Sequence, residues 1–214
     1  AIDRKRNLVV PLIERLEQNG YEGSFLDPDE AIERVTAQTL LIITDTHIEH
    51  VVESSELYRA CKTVVVIDHH RRMVGYIDNA VIFYHEPYAS SASEMVTELV
   101  QYFGDRTRIS RLEAEALLAG IMLDTKNFVI KTGVRTFEAA AYLRRQGADT
   151  VEVRKLFASS MESYQQRSRV VSSAEIYRRC AISTSNAPSE DIKLVAPQAA
   201  DELLTINDVD ASFV

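Results

Sequence analysis

Several residues that could bind a metal ion each follow an apolar segment of this sequence. They are carboxylates and imidazoles, with no cysteine among them. Oxygen donors combined with imidazole nitrogens suit divalent ions such as manganese better than a thiolate-rich zinc site does. The residue types therefore indicate a divalent-metal centre made from Asp45, Asp68, His69, His70 and Asp124.

Two of these groups stand where strands of a sheet are predicted to end. Asp45 follows the apolar run 39–44, and Asp68 follows the apolar run 63–67. Because a helical pattern over 49–61 separates the runs, we predict a βαβ unit in a buried parallel sheet. Such sheets bind ligands just outside the carboxyl ends of their strands. Both carboxylates therefore stand where a site is expected.

Each residue also has a structural explanation when it is taken alone. Asp45 could cap a helix N-terminus, and Asp124, which follows the apolar helical segment 112–123, could belong to a turn. A lone histidine after a strand is more often structural than a ligand. The combination of these residues at converging strand and helix ends favours the metal centre.

The rest of the chain has mainly helical patterns, with short strand-like runs towards its end. A helix is predicted over 3–19 with a stop at Gly20, and a turn at Asp27 begins a short helix. Strands are predicted over 192–195 and 211–214, on either side of a short helix. Amphipathic helices are predicted over 90–103, 111–123 and 136–146.

These patterns predict an α/β fold with two domains. The first would cover residues 1–158, a helical linker 159–182, and a smaller α/β domain would begin with 183–214. The chain starts with Ala1 rather than methionine and stops in an apolar, strand-like run. We therefore expect both domains to be truncated parts of a longer protein.

Composition narrows the classes of function. The chain has 24 Lys and Arg against 32 Asp and Glu, a formal net charge of -8, which disfavours binding to long nucleic acids. No apolar run reaches the ~20 residues that a membrane-spanning helix needs, so no membrane contact is expected. Cys61 and Cys180 lie far apart, which favours free thiols in a reducing compartment. We expect a soluble, intracellular piece of protein.

Longer segments around these residues resemble the DHH phosphoesterase superfamily. The first is IDHHRR at 67–72, preceded by TDTH at 44–47. Together with EPYASSASE at 86–94, GIMLDTKNF at 120–128 and KTGVRTFEAA at 131–140, it is similar to the membrane-anchored cyclic-di-AMP phosphodiesterases of bacteria. In that family, membrane helices, a PAS domain and a degenerate GGDEF domain precede the DHH domain and its associated C-terminal domain.

The resemblance implies a role for each residue of the proposed centre. Asp45 corresponds to a carboxylate that bridges two manganese ions. His69 and Asp124 correspond to ligands of the second ion. Asp68 corresponds to a partner that orients an imidazole, and His70 to a hydrogen-bond donor near the scissile phosphate.

The resemblance also implies an activity and a cellular setting. The enzyme would hydrolyse cyclic-di-AMP to the linear dinucleotide 5′-pApA, as part of bacterial second-messenger signalling. Arg135 would contact phosphate, although a surface charge at a helix start explains it equally well. The chain would be a cytoplasmic domain of a cell-membrane protein, and a homodimer stays open.

The sequence departs from the family pattern at both ends. The motif His-x-Asn-Pro-Asp-x-Asp, which supplies the other metal ligands, does not occur in the chain, nor does the glycine-rich nucleotide-binding motif. We therefore expect the chain to be inactive by itself and the parent protein to be active. Two alternatives stay open: a DHH nuclease or phosphatase acting on short oligonucleotides, and a catalytically silent nucleotide-binding module.

Overall fold

The computed structural model describes residues 10–103, 108–158, 160–185 and 192–214. They form two compact units, which divide between Leu156 and Phe157. Each unit combines helices with a three-stranded sheet. None of the helices in these ranges is long and apolar enough to span a membrane.

The first unit is built on a parallel sheet. Its strands are β1 (Leu40–Thr44), β2 (Thr63–Asp68) and β3 (Ile82–His85). They lie in the order β1-β2-β3, and both neighbouring pairs are parallel, which confirms the predicted α/β fold. Strand β3 was not predicted, although its sequence IFYH has the β-branched and aromatic residues typical of strands.

The register of the sheet brings its carboxyl ends to one edge. Thr44 pairs with Ile67, and Asp68 pairs with His85. The central strand β2 is buried on both faces: Val64 and Val66 pack on one side, and Ile67 packs against Met95 on the other. Burial on both faces explains why β2 is a continuous apolar run.

Helices make up the rest of the first unit. They are α1 (Val10–Leu16, followed by a turn, Glu17–Tyr21, whose backbone leaves the helix at Asn19 and Gly20), α2 (Pro28–Glu33), α3 (Ser55–Ala60), α4 (Ala92–Tyr102), α5 (Arg111–Asp124), α6 (Val134–Arg145) and α7 (Thr150–Lys155). Helices α4, α5 and α6 correspond to the predicted amphipathic helices. The backbone of Gly20 is left-handed, with φ of 96°, as expected for the predicted helix stop. Residues 3–9 of the first predicted helix lie outside the described residues.

The helix predicted over 49–61 is shorter than expected. It begins at Ser55 as α3, and the Ser54 hydroxyl accepts a hydrogen bond of 3.1 Å from the Leu57 N–H. Ser54 therefore caps this helix. The explanation of Asp45 as an N-cap is wrong, because no helix starts directly after it.

The second unit contains α8 (Met161–Ser172), β4 (Glu175–Tyr177), β5 (Cys180–Ile182), α9 (Ile192–Leu203) and β6 (Ala211–Phe213). Strands β4 and β5 are antiparallel, and β5 and β6 are parallel. The segment predicted as a helical linker is thus helical only in its first half. Its assignment as a linker, and that of the following residues to a second domain, stay predictions.

The strand predicted over 192–195 is wrong, because these residues begin helix α9. Val195, Ala199 and Leu203 are buried at a spacing of four residues, which forms the apolar stripe of a helix. Val195 and Ala199 pack against Val170 of α8. The short apolar run IKLV resembled a strand only when it was separated from the residues that continue its helical stripe.

Gly120 allows α5 to approach α4 closely. A Cβ atom at Gly120 would lie 2.1 Å from Ser93 Oγ and 2.9 Å from Ser93 Cβ. The hydroxyl can rotate away, but Ser93 Cβ is fixed to its helix. We therefore expect Gly120→Ala to lower the free energy of unfolding by about 1–3 kcal/mol, as overpacking does, measured by urea denaturation.

Two further variants test this explanation of Gly120. Gly133→Ala is the matched control, because nothing lies within 4 Å of its added Cβ and its φ is -112°. Adding Ser93→Gly to Gly120→Ala should restore part of the lost stability. Equal stability of the two single alanine variants would contradict the close contact.

Candidate metal centre

Asp45 extends from the end of β1 in an uncommon backbone conformation. Its φ is 65°, in the left-handed region that costs most residues roughly 1 kcal/mol. Its N–H donates to the Ile67 carbonyl at 3.0 Å, so the sheet hydrogen bonds continue through this residue. The side chain is 58% exposed. Strained backbone of this kind concentrates at functional sites.

Asp68 is the fully buried centre of the hydrogen-bond network. Its side chain is 0% exposed. One carboxylate oxygen, Oδ1, accepts from the His69 N–H at 2.8 Å, the His70 N–H at 3.2 Å and His70 Nδ1 at 2.8 Å. The other oxygen, Oδ2, accepts from His47 Nδ1. Asp68 therefore joins the backbone of its own motif to two imidazoles.

These hydrogen bonds also keep Asp68 ionised. Burial by itself raises the pKa of this carboxyl group, but the hydrogen bonds from His47 and His70 outweigh burial and hold the pKa below its ordinary value of 3.8. An ionised carboxylate only accepts hydrogen bonds. Both imidazoles must therefore direct an N–H towards it.

His69 lies between two carboxylates. Its Nε2 atom is 3.2 Å from Asp45 Oδ1 and 3.5 Å from Asp124 Oδ2. Its Nδ1 atom donates to the Ala89 carbonyl at 3.3 Å. The structure thus brings together the three residues that were predicted as metal ligands; their role as ligands stays a prediction.

The charges around His69 favour a cation, either a proton or a metal ion, next to its Nε2 atom. The hydrogen bond to Asp45 raises the pKa of His69, burial opposes this, and the charge of Asp124 adds to it. Burial, and then the charge of Asp45, raises the pKa of Asp124. Because Nδ1–H is held by a carbonyl, a neutral His69 would point the Nε2 lone pair at two carboxylates. A proton or a metal ion between these groups removes that repulsion.

The donor set fits a divalent metal ion. One ligand atom from each of Asp45, Asp68, His69 and His70 lies within 4.8 Å of the others. Of these, Asp68 is already engaged by four hydrogen bonds. An imidazole whose second nitrogen donates to a backbone carbonyl is the usual orientation of a metal-binding histidine. With Asp124 added, and with His70 Nδ1 held by Asp68, the group offers hard carboxylate oxygens and Nε2 of His69.

The segment after Asp124 is tightly folded. Three consecutive residues, Lys126, Asn127 and Phe128, have left-handed backbone with φ of 47°, 58° and 65°. Thr125 holds this turn: its hydroxyl accepts from the Phe128 N–H at 2.9 Å, and its carbonyl accepts from the Val129 N–H at 2.8 Å. The turn therefore fixes the helix end that carries Asp124.

A second buried carboxylate, Glu94, holds the segment that contacts His69. Glu94 accepts hydrogen bonds from the Ser90 hydroxyl at 2.5 Å and the Thr136 hydroxyl at 2.6 Å. It thereby connects the start of α4 to the start of α6. Ser90 directly follows Ala89, whose carbonyl holds His69. Two of the long sequence segments, 86–94 and 131–140, thus meet at Glu94.

Arg135 forms a bidentate ion pair on the side of α4. Its guanidinium donates to Glu98 through Nε at 2.7 Å and Nη2 at 2.6 Å, and its Nη1 is 3.9 Å from Glu86. The hydrogen bonds that Arg135 donates to Glu98 raise the pKa of Arg135 above its ordinary value. The contact of Arg135 with phosphate stays a prediction. Phosphate would have to compete with Glu98 for the guanidinium.

His47 is the site residue that the sequence analysis did not single out. It occurs in the quoted TDTH segment, but nothing in that segment shows that its ring is buried against Asp68. The contact joins residues that are 21 positions apart. The only available signal was a second histidine near the end of a strand, which by itself is more often structural.

Comparison with protein families identifies the family of this chain. The model of the DHH family, N-terminal domain, matches residues 5–121, more than half of the chain. The chain belongs to the DHH family. This result confirms the resemblance that the motifs indicated.

Curated relatives give a more specific likeness. The chain is 44% identical over 192 residues to the cyclic-di-AMP phosphodiesterase PdeA of Listeria monocytogenes, which covers 89% of this chain. It is 48% identical over 191 residues to the cyclic-di-AMP phosphodiesterase GdpP of Geobacillus thermodenitrificans, covering 88% of this chain. In both comparisons the chain spans 29% of the relative's length.

A solved structure supports the fold. An exopolyphosphatase-related protein from Bacteroides fragilis matches with a TM-score of 0.68 at 22% sequence identity. The match covers 79% of this chain and 52% of that chain. At this identity, the likeness concerns the fold alone.

The raised pKa of His69 predicts how stability depends on pH without metal. The stabilisation from protonated His69 is fully present below its unfolded pKa of about 6.5 and is lost as pH rises through the higher folded pKa. We expect the melting temperature in chelator to fall across this window. His69→Gln, which cannot titrate, is the control and should lack this part of the pH dependence.

If a divalent metal ion binds here, the same proton predicts that its affinity, measured with Mn²⁺ on the full-length protein, rises with pH. A metal ion requires the Nε2 lone pair, so binding must release the proton from His69. Titration calorimetry between pH 6 and 8, in buffers of different ionisation enthalpy, measures this proton release. Binding without proton release would contradict a role for His69 as ligand.

Proposed function

We propose that this chain belongs to the catalytic part of a manganese-dependent phosphodiesterase, which hydrolyses cyclic-di-AMP to 5′-pApA. The observation that carries the proposal is the convergence of Asp45 and Asp124 on Nε2 of His69, at 3.2 Å and 3.5 Å. The names of the relatives support the choice of substrate. Since the chain spans 29% of their length, the activity is proposed for the whole protein.

Three residues of this chain would hold manganese. Asp45 would bridge two ions, and His69 and Asp124 would bind one of them. The exposure of the Asp45 side chain, 58%, supports the bridging role, because its carboxylate is not enclosed by neighbouring groups. When bound, the ions supply Lewis-acid stabilisation of the charge on the phosphoryl group.

His70 would contact the phosphoryl group directly. Its side chain is 55% exposed, while its Nδ1 is held by Asp68. Because Nδ1–H of His70 donates to Asp68, Nε2 is the ring nitrogen left to face a phosphoryl oxygen, and it can donate to that oxygen when the ring carries both protons. This arrangement stabilises negative charge that develops on phosphate, which is the usual role of an oriented donor in phosphoryl chemistry.

The proposed cellular setting follows the relatives as well. We propose that the chain is a cytoplasmic part of a membrane-anchored bacterial protein in second-messenger signalling. The short α/β second unit would belong to the DHH-associated domain that binds the substrate. A cyclic dinucleotide is small, so the net charge of -8 does not oppose its binding when metal ions neutralise the site.

Asp45→Ala tests the metal role most directly. In the full-length protein, we expect manganese-dependent hydrolysis of cyclic-di-AMP to fall by more than about 100-fold, because residues that merely support a ligand cost ~10–100-fold. Stability in chelator should fall by no more than about 1 kcal/mol, since the side chain is largely exposed and alanine is only less favourable than aspartate at a φ of 65°. Turnover and melting temperature are measured on the same preparations.

Asp78→Ala is the matched control for Asp45→Ala, because Asp78 is also exposed and belongs neither to the predicted ligands nor to the segments that resemble the family. It should retain turnover. Linear dinucleotide and short RNA, offered to the same enzyme, test the oligonucleotide alternative. Near-normal hydrolysis by folded Asp45→Ala protein would remove Asp45 from the mechanism and would contradict the proposed function.

A further inference from the structure

His47 is buried and makes two directional hydrogen bonds. Its side chain is 1% exposed. Its Nε2 accepts a hydrogen bond of 3.1 Å from the Met73 N–H. Because a backbone N–H can only donate, the ring proton must sit on Nδ1, which faces Asp68 Oδ2. The backbone of the loop after Asp68 therefore selects one tautomer of His47.

The backbone on both sides holds the His47 ring in place. The His47 carbonyl accepts from the Ile77 N–H at 2.8 Å, and the adjacent Ile48 forms a bridge with Tyr76. The ring also packs edge-on against Phe83, at a centroid distance of 6.2 Å. His47 therefore has little freedom to turn away from Asp68.

Asp68 connects this fixed imidazole to an exposed one. The oxygen that does not contact His47 accepts from His70 Nδ1 at 2.8 Å. His70 is half exposed, and its other nitrogen is directed away from Asp68. The carboxylate thus joins a buried imidazole, His47, to a half-exposed one, His70, whose ring lies 4.5 Å from that of His69 between centroids.

We propose that His47 is a positioning residue, which holds Asp68 in the orientation that fixes the His70 ring and its Nδ1–H tautomer. The proposal deepens the proposed function and rests on it, in that His70 is the group meant to contact phosphate. Both ring nitrogens of His47 are already engaged, by Asp68 and by the Met73 N–H. His47 acts through Asp68.

A simpler role for His47 would be that of a buried residue that only stabilises the fold. In that case its replacement would lower stability but leave the turnover of the folded protein unchanged. The positioning role instead predicts a change in the imidazole of His70, which is not in contact with His47. These two outcomes separate the roles.

A pair of amide variants separates the two hydrogen bonds of His47. The amide nitrogen of His47→Asn lies near the position of Nδ1 and can donate to Asp68. The amide nitrogen of His47→Gln lies nearer the position of Nε2, which leaves Asp68 without this donor. His50→Asn is the matched control, since His50 is exposed in the same loop.

Imidazole nitrogen spectra of the chain provide a test without any activity. Long-range ¹H–¹⁵N correlations, recorded without metal at a pH where His70 is neutral, report its tautomer. We expect Nδ1–H for His70 in the wild type, in His47→Asn and in His50→Asn, and a mixture of both tautomers in His47→Gln. A mixture in the wild type, or no change in His47→Gln, would overturn the proposal.

Kinetics of the full-length protein provide the second test. We expect His47→Gln to lower kcat by about 10–100-fold with little change in KM, because the lost support acts on a contact made in the transition state. His47→Asn should recover most of this loss. Unchanged kcat in folded His47→Gln protein would overturn the positioning role.

The two tests distinguish failure of this inference from failure of the proposed function. If the wild-type protein does not hydrolyse cyclic-di-AMP, the proposed function is wrong, and the tautomer of His70 alone decides the role of His47. If hydrolysis is normal but the His70 tautomer does not depend on His47, only the positioning role is wrong. Should His47→Gln fail to fold, a mixture of His70 tautomers in the wild type would still overturn the positioning role, and a single Nδ1–H tautomer would agree with it.

Discussion

The arrangement of the site depends on one buried charge, the carboxylate of Asp68. A buried carboxylate without donors is strongly unfavourable, and here backbone N–H groups and two imidazoles supply them. The need to satisfy this charge draws the loops after β1 and β2 together. Asp45 and His69, which follow those strands, are thereby brought within reach of each other.

The remaining ligand comes from a different layer of the fold. Asp124 ends α5, and α5 is positioned by its close packing on α4 at Gly120. The buried Glu94 ties α4 to α6 and lies next to the carbonyl that holds His69. A polar network and an apolar core therefore set the positions of the same three side chains. A change in the packing of either layer is therefore expected to move ligand side chains.

Much of this site could be predicted from sequence, because it lies at the ends of strongly patterned elements. The apolar runs before Asp45 and Asp68 predict parallel strands, and the parallel arrangement brings their ends together. Local patterns failed where long-range contacts decide the outcome. Helix α9 needs its full stripe of buried residues to be recognised, and the burial of His47 depends on a loop 26 positions away. Strand β3 was too short for its pattern to stand out.

The left-handed turn after Asp124 has a consequence for how this protein can vary. Thr125 accepts hydrogen bonds from three successive residues of the segment, and the Asn127 N–H returns to the Met122 carbonyl at 2.8 Å. Each hydrogen bond of this turn closes a loop of a fixed number of residues. Most surface connections tolerate insertions, but the hydrogen bonds of this turn can form at only one segment length. A single added or deleted residue would unwind the last turn of α5, so the length of the segment is restricted even where its exposed side chains are not.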